Sequence, residues 1–145
     1  MTQINRITNG QTNPDQRLEF TFDGKTFYGQ GGDTLASALL ANGQRLMGRS
    51  FKYHRPRGPL TAGSEEPNAL VELRTGGRQE PNTRATTAEL YDGLTARSPN
   101  RPGALKLDLL SIQDRLSTFL TAGVYYKTFT WRAPFAEDLY APIIR

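Results

Sequence analysis

The sequence predicts an α+β fold, in which two short strands are followed by one helix and then by a further strand. Three observations support this prediction. Apolar residues alternate with polar ones before Asp23-Gly24, an apolar stripe at helical spacing follows Thr34, and the alternation returns over Ala69–Leu73. With 145 residues the chain can bury one hydrophobic core of ordinary size, and it is too short for two such domains.

The first predicted strand ends in a tight turn. Leu18, Phe20 and Phe22 alternate with polar residues, so all three lie on one face of a strand. The pair Asp23-Gly24 is typical of a two-residue hairpin turn, because such a turn needs positive φ angles that glycine adopts easily. We expect the return strand over Thr26–Tyr28.

A short helix follows the hairpin. Asp33-Thr34 offers an N-cap, since a short side chain with an oxygen atom can accept hydrogen bonds from the first free helical amides. The helix should run for about nine residues. It should end at Asn42-Gly43, where glycine can take the left-handed C-terminal position. Hairpin, helix and strand in this order are typical of the β-grasp fold.

We divide the chain into three parts. Residues 1–16 lack an apolar period and are predicted to be a mobile tail, residues 17–97 should form the β-grasp domain, and residues 98–145 should form an extension with a helix and an aromatic segment. We expect the aromatic segment either to wrap the domain or to dock on a partner. Its aromatic residues are Tyr125, Tyr126, Phe129, Trp131, Phe135 and Tyr140.

Composition excludes several kinds of site. The chain has no cysteine, which rules out disulfides, zinc sites with thiolate ligands and any all-cysteine iron–sulfur cluster. No apolar run approaches the roughly 18 residues of a membrane span, and the polar N-terminus does not resemble a signal peptide. The net charge of +4 is too mild to favour nucleic acid. We therefore expect a cytoplasmic protein that binds neither membranes nor nucleic acid.

A basic segment follows the predicted helix. Its guanidinium and ammonium groups are suited to a phosphate or to a protein partner. The alternative is a solvated loop that pairs with Glu65, Glu66 or a partner subunit. His54, the single histidine, cannot form a metal site alone and is expected to pack within the fold or at an interface. The residues expected to contact a phosphate or an interface are Arg49, Lys52, Arg55 and Arg57.

Adjacent acidic residues follow the basic segment. Glu65 and Glu66 could be imagined as an acid/base pair, but neighbouring side chains point apart on an extended chain. We expect them to be ion-pair partners of the loop. Serine, histidine and aspartate residues are scattered, so the sequence predicts no catalytic residue and no metal ligand.

Several segments resemble one family of enzyme subunits. Gly32–Leu40, Gly48–Gly58 and Gly63–Val71 are similar to the N-terminal region of the alpha subunit of heterotetrameric sarcosine oxidases, and the likeness continues through Glu89–Leu94 to Ala122–Phe129. So many matched segments in the same order are a specific signal. The resemblance covers nearly everything after residue 17.

That region is in turn similar to plant-type [2Fe–2S] ferredoxin domains, whose cysteines follow a C-x4-C-x2-C spacing with a fourth further on. This spacing places the cysteine positions at Thr61, Glu66, Ala69 and Thr86. Threonine and alanine cannot supply thiolates, and one glutamate cannot hold a pair of iron ions. The resemblance therefore implies a ferredoxin-like fold that lacks the cluster.

The resemblance also implies that the chain is part of an enzyme complex. Sarcosine oxidase complexes demethylate sarcosine to glycine, form peroxide and transfer one carbon unit to tetrahydrofolate, with FAD, FMN, NAD and tetrahydrofolate as their cofactors. This chain should hold none of these cofactors and should be inactive alone. Its expected partners are the remaining alpha-subunit domains and the beta, gamma and delta subunits. The alternative is a stand-alone β-grasp adaptor that binds another protein and has no role in amine oxidation.

Overall fold

The computed structural model describes residues 3, 5–7, 10–51, 54–75, 77–100 and 105. Its first elements are a hairpin and a helix, and the following strands are short except for a second hairpin. In chain order the elements are β1 (Asn13–Phe22), β2 (Lys25–Gly31), α1 (Leu35–Ala41), β3 (Gly48–Arg49), β4 (Pro56–Arg57), a 3-10 helix (Gly63–Glu65), β5 (Leu70–Thr75), β6 (Arg78–Arg84) and β7 (Leu94–Arg97).

Five strands form one mixed sheet in the order β2-β1-β7-β5-β6. Strand β1 is antiparallel to β2 and parallel to β7, and β5 is antiparallel to both β6 and β7. A parallel pair at the centre of the sheet needs a long crossover connection, which the helix and the loops after it provide. Strands β3 and β4 pair separately. This is the β-grasp arrangement, and the predicted α+β fold class is confirmed.

The core lies between the sheet and α1. Leu18, Phe20 and Phe22 are all buried, which confirms that they share the inner face of β1. Leu35 and Leu39 are fully buried on the facing side of the helix. The alternation in the strand and the helical spacing therefore bury their apolar side chains in the same core.

The turn of the first hairpin has the predicted geometry. Asp23 and Gly24 both have positive φ angles, 53° and 76°, as a two-residue turn between twisted strands requires. The carboxylate of Asp23 also accepts hydrogen bonds from the backbone N–H of Ser98 at 2.8 Å and from its hydroxyl. The turn is thus tied to the residue that follows β7.

Capping explains both ends of α1. The Thr34 hydroxyl accepts from the backbone N–H of Ser37, and the Ser37 hydroxyl accepts from the backbone N–H of Thr34, which is a capping box. At the other end Asn42 is the C-cap, and Gly43 follows with a φ of 78°. The helix is seven residues long, slightly shorter than predicted.

The structure adds strands that the sequence analysis did not predict and extends others. β1 begins at Asn13, four residues before Arg17, because its early residues still pair with β2. β6 is almost entirely exposed and polar, and it exists because its backbone pairs with β5. The predicted helix and aromatic segment after residue 105 lie outside the described residues. The mobility of residues 1–16 and the division into three parts remain predictions.

No helix in the described part of the chain is long and apolar enough to span a membrane.

Candidate functional site

The loop between β4 and β5, residues 58–69, contains three of the four positions assigned to lost cysteines. It is a surface loop with a short 3-10 helix over Gly63–Glu65. Leu60 is 70% exposed, and Glu65 is exposed as well. Glu66, in contrast, is fully buried although its neighbours on both sides face solvent, and Ala69 at the end of the loop is fully buried as well.

The loop holds the Glu66 carboxylate with four backbone N–H groups. Leu60 and Thr61 donate to Oε2 at 2.7 and 2.6 Å. Asn68 and Ala69 donate to Oε1 at 2.6 and 3.0 Å. Each carboxylate oxygen therefore receives two strong hydrogen bonds, and the charged form of the side chain is the form that satisfies these donors.

These bonds control the acidity of Glu66. Burial disfavours the charged form and acts to raise the pKa of this carboxyl. The hydrogen bonds from the backbone of Thr61, Asn68, Leu60 and Ala69 act in the opposite direction and together outweigh burial. The pKa of Glu66 is lowered to about 2. The carboxylate is therefore a permanent negative charge over the physiological pH range.

The expectation that Glu66 is an ion-pair partner of the loop is wrong for the described residues. Its side chain turns inward because the loop backbone presents four unpaired amides that no strand or helix satisfies. Among the described residues, no lysine or arginine forms an ion pair with its carboxylate. The sequence offered no periodic signal that could separate Glu66 from the exposed Glu65.

Three of the four positions assigned to cysteines are in hydrogen-bond contact, and the fourth contacts the same loop. Thr61 and Ala69 donate to the Glu66 carboxylate, as described above. The Thr86 hydroxyl donates to the carbonyl oxygen of Gly63, in the same loop, at 2.7 Å. The assignment of these four positions to the family's cysteines remains a prediction.

The residues at this place do not fit a [2Fe–2S] cluster. Such a cluster needs four strong ligands, usually thiolates, and the chain contains no cysteine at any position. Two hydroxyl groups, one methyl group and one carboxylate are the side chains available here, and the carboxylate is already committed to four amides. Within the described ranges, no group of three or more His, Cys, Asp or Glu residues could hold a metal ion.

The arginines of the basic segment do not form one cluster, because one of them is buried and two are exposed. Arg49 is buried, and its guanidinium donates to main-chain carbonyl oxygens of His54 and Leu105. Arg55 and Arg57 are exposed, and Arg57 donates to the side-chain oxygen of Asn68. Lys52 lies outside the described residues. A phosphate or interface contact by these four side chains remains a prediction.

His54 packs as the sequence analysis expected. Its residue is buried, its φ angle is 53°, and its carbonyl oxygen accepts from Nη1 of Arg49 at 2.8 Å. The basic segment thus has a buried turn that Arg49 holds, with Arg55 on its outer surface.

The sequence analysis missed a partly buried ion pair between Arg6 and Asp33. The Asp33 carboxylate accepts from Nη2 of Arg6 at 2.6 Å and from Nη1 at 3.2 Å. It also accepts from the backbone N–H of Gln30 and the hydroxyl of Ser37, both at 2.8 Å. Asp33 had been assigned a capping role only. No spacing rule could have found Arg6, because it lies 27 residues earlier in a segment without a pattern.

Residues 15–101 match the family model described as "2Fe-2S iron-sulfur cluster binding domain". The chain belongs to this family. It is a member without cysteine, so it cannot supply the four thiolates of an all-cysteine [2Fe–2S] cluster.

Curated relatives confirm the resemblance to sarcosine oxidase alpha subunits. The chain is 65% identical over 128 residues to "Sarcosine oxidase subunit alpha" of Rhizobium meliloti (strain 1021), which covers 88% of this chain and 13% of that protein. It is 41% identical over 104 residues to the protein of the same name from Corynebacterium sp. (strain U-96), with 66% of this chain and 11% of that protein covered. The chain therefore spans only a small part of the curated relatives that it matches.

One solved structure is also similar. It is the "Crystal structure of L-proline dehydrogenase from P.horikoshii", with 24% sequence identity, a TM-score of 0.46, and coverage of 63% of this chain and 16% of that chain. The relatives are subunits of a multi-subunit enzyme, so this chain is homologous to a domain of an oxidase complex.

Proposed function

We propose that this chain is a non-catalytic structural and interface module of a sarcosine oxidase alpha subunit. The observation that carries the proposal is the Glu66 carboxylate, which fills the loop of a cluster-binding family with a group that cannot carry electrons. A domain that has the loop of this family but a carboxylate in place of an electron carrier still has the shape and the surface of the family's fold. Shape and surface are what an interface module contributes to a complex.

The enzyme around this module is then a flavoprotein complex that demethylates sarcosine to glycine with peroxide formation and one-carbon transfer to tetrahydrofolate. Its partners are the remaining alpha-subunit domains and the beta, gamma and delta subunits, in the cytoplasm. FAD, FMN, NAD and tetrahydrofolate belong to those parts. The names of the relatives and the high identity of 65% support this setting.

The exposed arginines of the basic segment are the proposed contact to the rest of the complex. Arg55 and Arg57 are both exposed, and Arg57 donates to Asn68 in the 58–69 loop. Guanidinium groups there can bind a phosphate of FMN or NAD, or carboxylates of a partner subunit, with paired hydrogen bonds. Arg49 acts differently, because it fixes the shape of the segment from inside.

The decisive experiment is affinity purification of the tagged protein from the organism that encodes it, grown on sarcosine. We expect a flavin-containing complex that forms peroxide when sarcosine is added, whereas the 145-residue chain purified alone should form none. The double variant R55E/R57E should recover less flavoprotein. The variant R78E, which changes an exposed arginine at the start of β6, is the matched control and should recover as much as the wild type.

The stand-alone adaptor is the competing function. It predicts that the tagged protein is recovered with a partner that has no flavin, and that loss of the protein leaves sarcosine-dependent peroxide formation unchanged. Either result would replace the proposed function.

A further inference from the structure

We propose that the 58–69 loop is a preformed binding site for a small carboxylate anion, and that in this protein the chain's own Glu66 occupies it. The proposal goes beyond the role of the module in a complex, and it does not depend on that role. It concerns what the loop recognises.

The arrangement of donors is the first argument. Leu60 and Thr61 are consecutive and both donate to Oε2, while Asn68 and Ala69 are consecutive and both donate to Oε1. Successive amides that point at one atom form the concave anion sites known as nests. Two such pairs face each other here, and the spacing between them matches the two oxygens of one carboxylate.

The source of the compensating charge is the second argument. In the described part of the chain no cationic side chain pairs with the Glu66 carboxylate. Arg84 contacts Glu66, but its Nε donates to the main-chain carbonyl oxygen at 3.2 Å and not to the carboxylate. The amides therefore hold the anion, with a weak contribution from the Thr61 hydroxyl at 3.4 Å. A site made of backbone donors remains when the side chain is removed.

The atoms that are removed when Glu66 is replaced with alanine indicate which ligand would fit the vacated space. Replacing Glu66 with alanine deletes one methylene and one carboxylate group, which together have the heavy atoms of acetate. The vacated space and the four amides should then accept acetate from solution. A neutral amide of the same shape offers only one acceptor oxygen and can satisfy only one pair of the amides.

The test compares thermal unfolding of the E66A variant in sodium acetate and in sodium chloride at equal ionic strength. Without acetate, E66A should unfold roughly 10 °C below wild type, because four backbone donors lose their common acceptor. Acetate at about 100 mM should recover a large part of this shift in a saturable manner, consistent with a millimolar Kd. Acetamide should recover much less. The E65A variant, whose side chain is exposed, should respond to neither.

Two outcomes would overturn the proposal. One is an E66A variant that is as stable as E65A without any anion. The other is stabilisation by acetate that is the same for E65A, E66A and wild type, which would be a general solvent effect.

A second variant covers the case in which E66A fails to fold in either salt. Glutamine at position 66 keeps one acceptor oxygen, so E66Q should leave one of the two amide pairs without a partner. Hydrogen exchange at Leu60 and Thr61, or at Asn68 and Ala69, should then be at least about tenfold faster than in E65Q. Equal exchange at all four amides in the two variants would refute the proposal.

Discussion

Arg49 donates two hydrogen bonds to the carbonyl oxygen of Leu105, from Nε at 3.0 Å and from Nη2 at 2.9 Å. A third bond runs from Nη1 to the carbonyl oxygen of His54. The side chain of Leu105 is itself buried in the core. One guanidinium thus joins the basic segment to a residue 56 positions later. Arginine can do this because its planar guanidinium group presents several N–H donors in fixed directions.

The first prediction concerns this fork. The variant R49K should lower the free energy of unfolding by about 1–3 kcal/mol, because lysine cannot place donors on both carbonyl oxygens at once. Urea denaturation measures the effect. R45K, which changes an exposed arginine nearby, should stay within about 0.5 kcal/mol of wild type. Equal stability of the two variants would contradict the role assigned to Arg49.

The second prediction concerns a close approach of backbone and side chain. A Cβ atom added at Gly29 would lie 2.2 Å from Cδ2 of Leu90 and 3.1 Å from Cβ of Ala38. G29A should therefore cost about 1–3 kcal/mol, since the helix and Leu90 must move. At Gly77 an added Cβ meets nothing within 4 Å, so G77A is the control and should be nearly neutral. Comparison of the two melting temperatures checks this prediction.

The third prediction is a pH dependence. The folded-state pKa of Glu66 lies at about 2, below its ordinary value of 4.5. Its stabilising effect is therefore complete above pH 4.5 and is lost as the pH falls towards 2. The difference in unfolding free energy between wild type and E66Q should shrink over this interval, by at most about 3 kcal/mol.

The control for that experiment is E65Q, since Glu65 is exposed on the same loop and Arg84 contacts only the main chain of Glu66. The difference between wild type and E65Q should change little with pH. If the difference in unfolding free energy between wild type and E66Q were equally independent of pH, the four amides would not favour the charged carboxyl.

The fourth prediction is a coupling between Arg6 and Asp33. The side chain of Asp33 is 1% exposed and that of Arg6 is 16% exposed, so solvent screens their ion pair only weakly. The substitution R6A should lower the free energy of unfolding more in the wild-type protein than in the D33N variant. A double-mutant cycle should give a coupling energy of about 1–3 kcal/mol. A coupling near zero would mean that Gln30 and Ser37 alone satisfy Asp33.

The fifth prediction concerns iron. The purified 145-residue chain should remain colourless after anaerobic reconstitution with iron and sulfide, because Thr61, Glu66, Ala69 and Thr86 offer no thiolate. The visible spectrum and an iron determination check this. Stoichiometric iron with cluster absorbance that survives gel filtration would contradict it.

Local patterns predicted much of the fold. The alternation at Leu18, Phe20 and Phe22, the Asp23-Gly24 turn and the Thr34 cap all depend on neighbouring residues, and the structure confirms each of them. Strand β6 could not be found in this way. It is a polar edge strand that contains Pro81, and a proline argues against a strand except at an edge.

The sequence directed attention to the 58–69 loop but did not predict the contacts within it. The cysteine spacing of the resembling family pointed to Thr61, Glu66, Ala69 and Thr86, and the first three of these are hydrogen-bonded to one another through the Glu66 carboxylate. The inward turn of Glu66 was missed because it depends on four backbone amides, which no side-chain pattern records. The Arg6–Asp33 pair was missed for a related reason, since it joins residues that are distant in sequence.

The way the loop is held at Glu66 has a consequence for how the subunit is made. A cluster-binding loop reaches its final form only after iron and sulfide have been delivered and inserted. Here the central anion is translated with the chain, so the loop is complete as soon as the polypeptide has folded. The chain itself thus supplies the negative charge around which the loop amides are arranged.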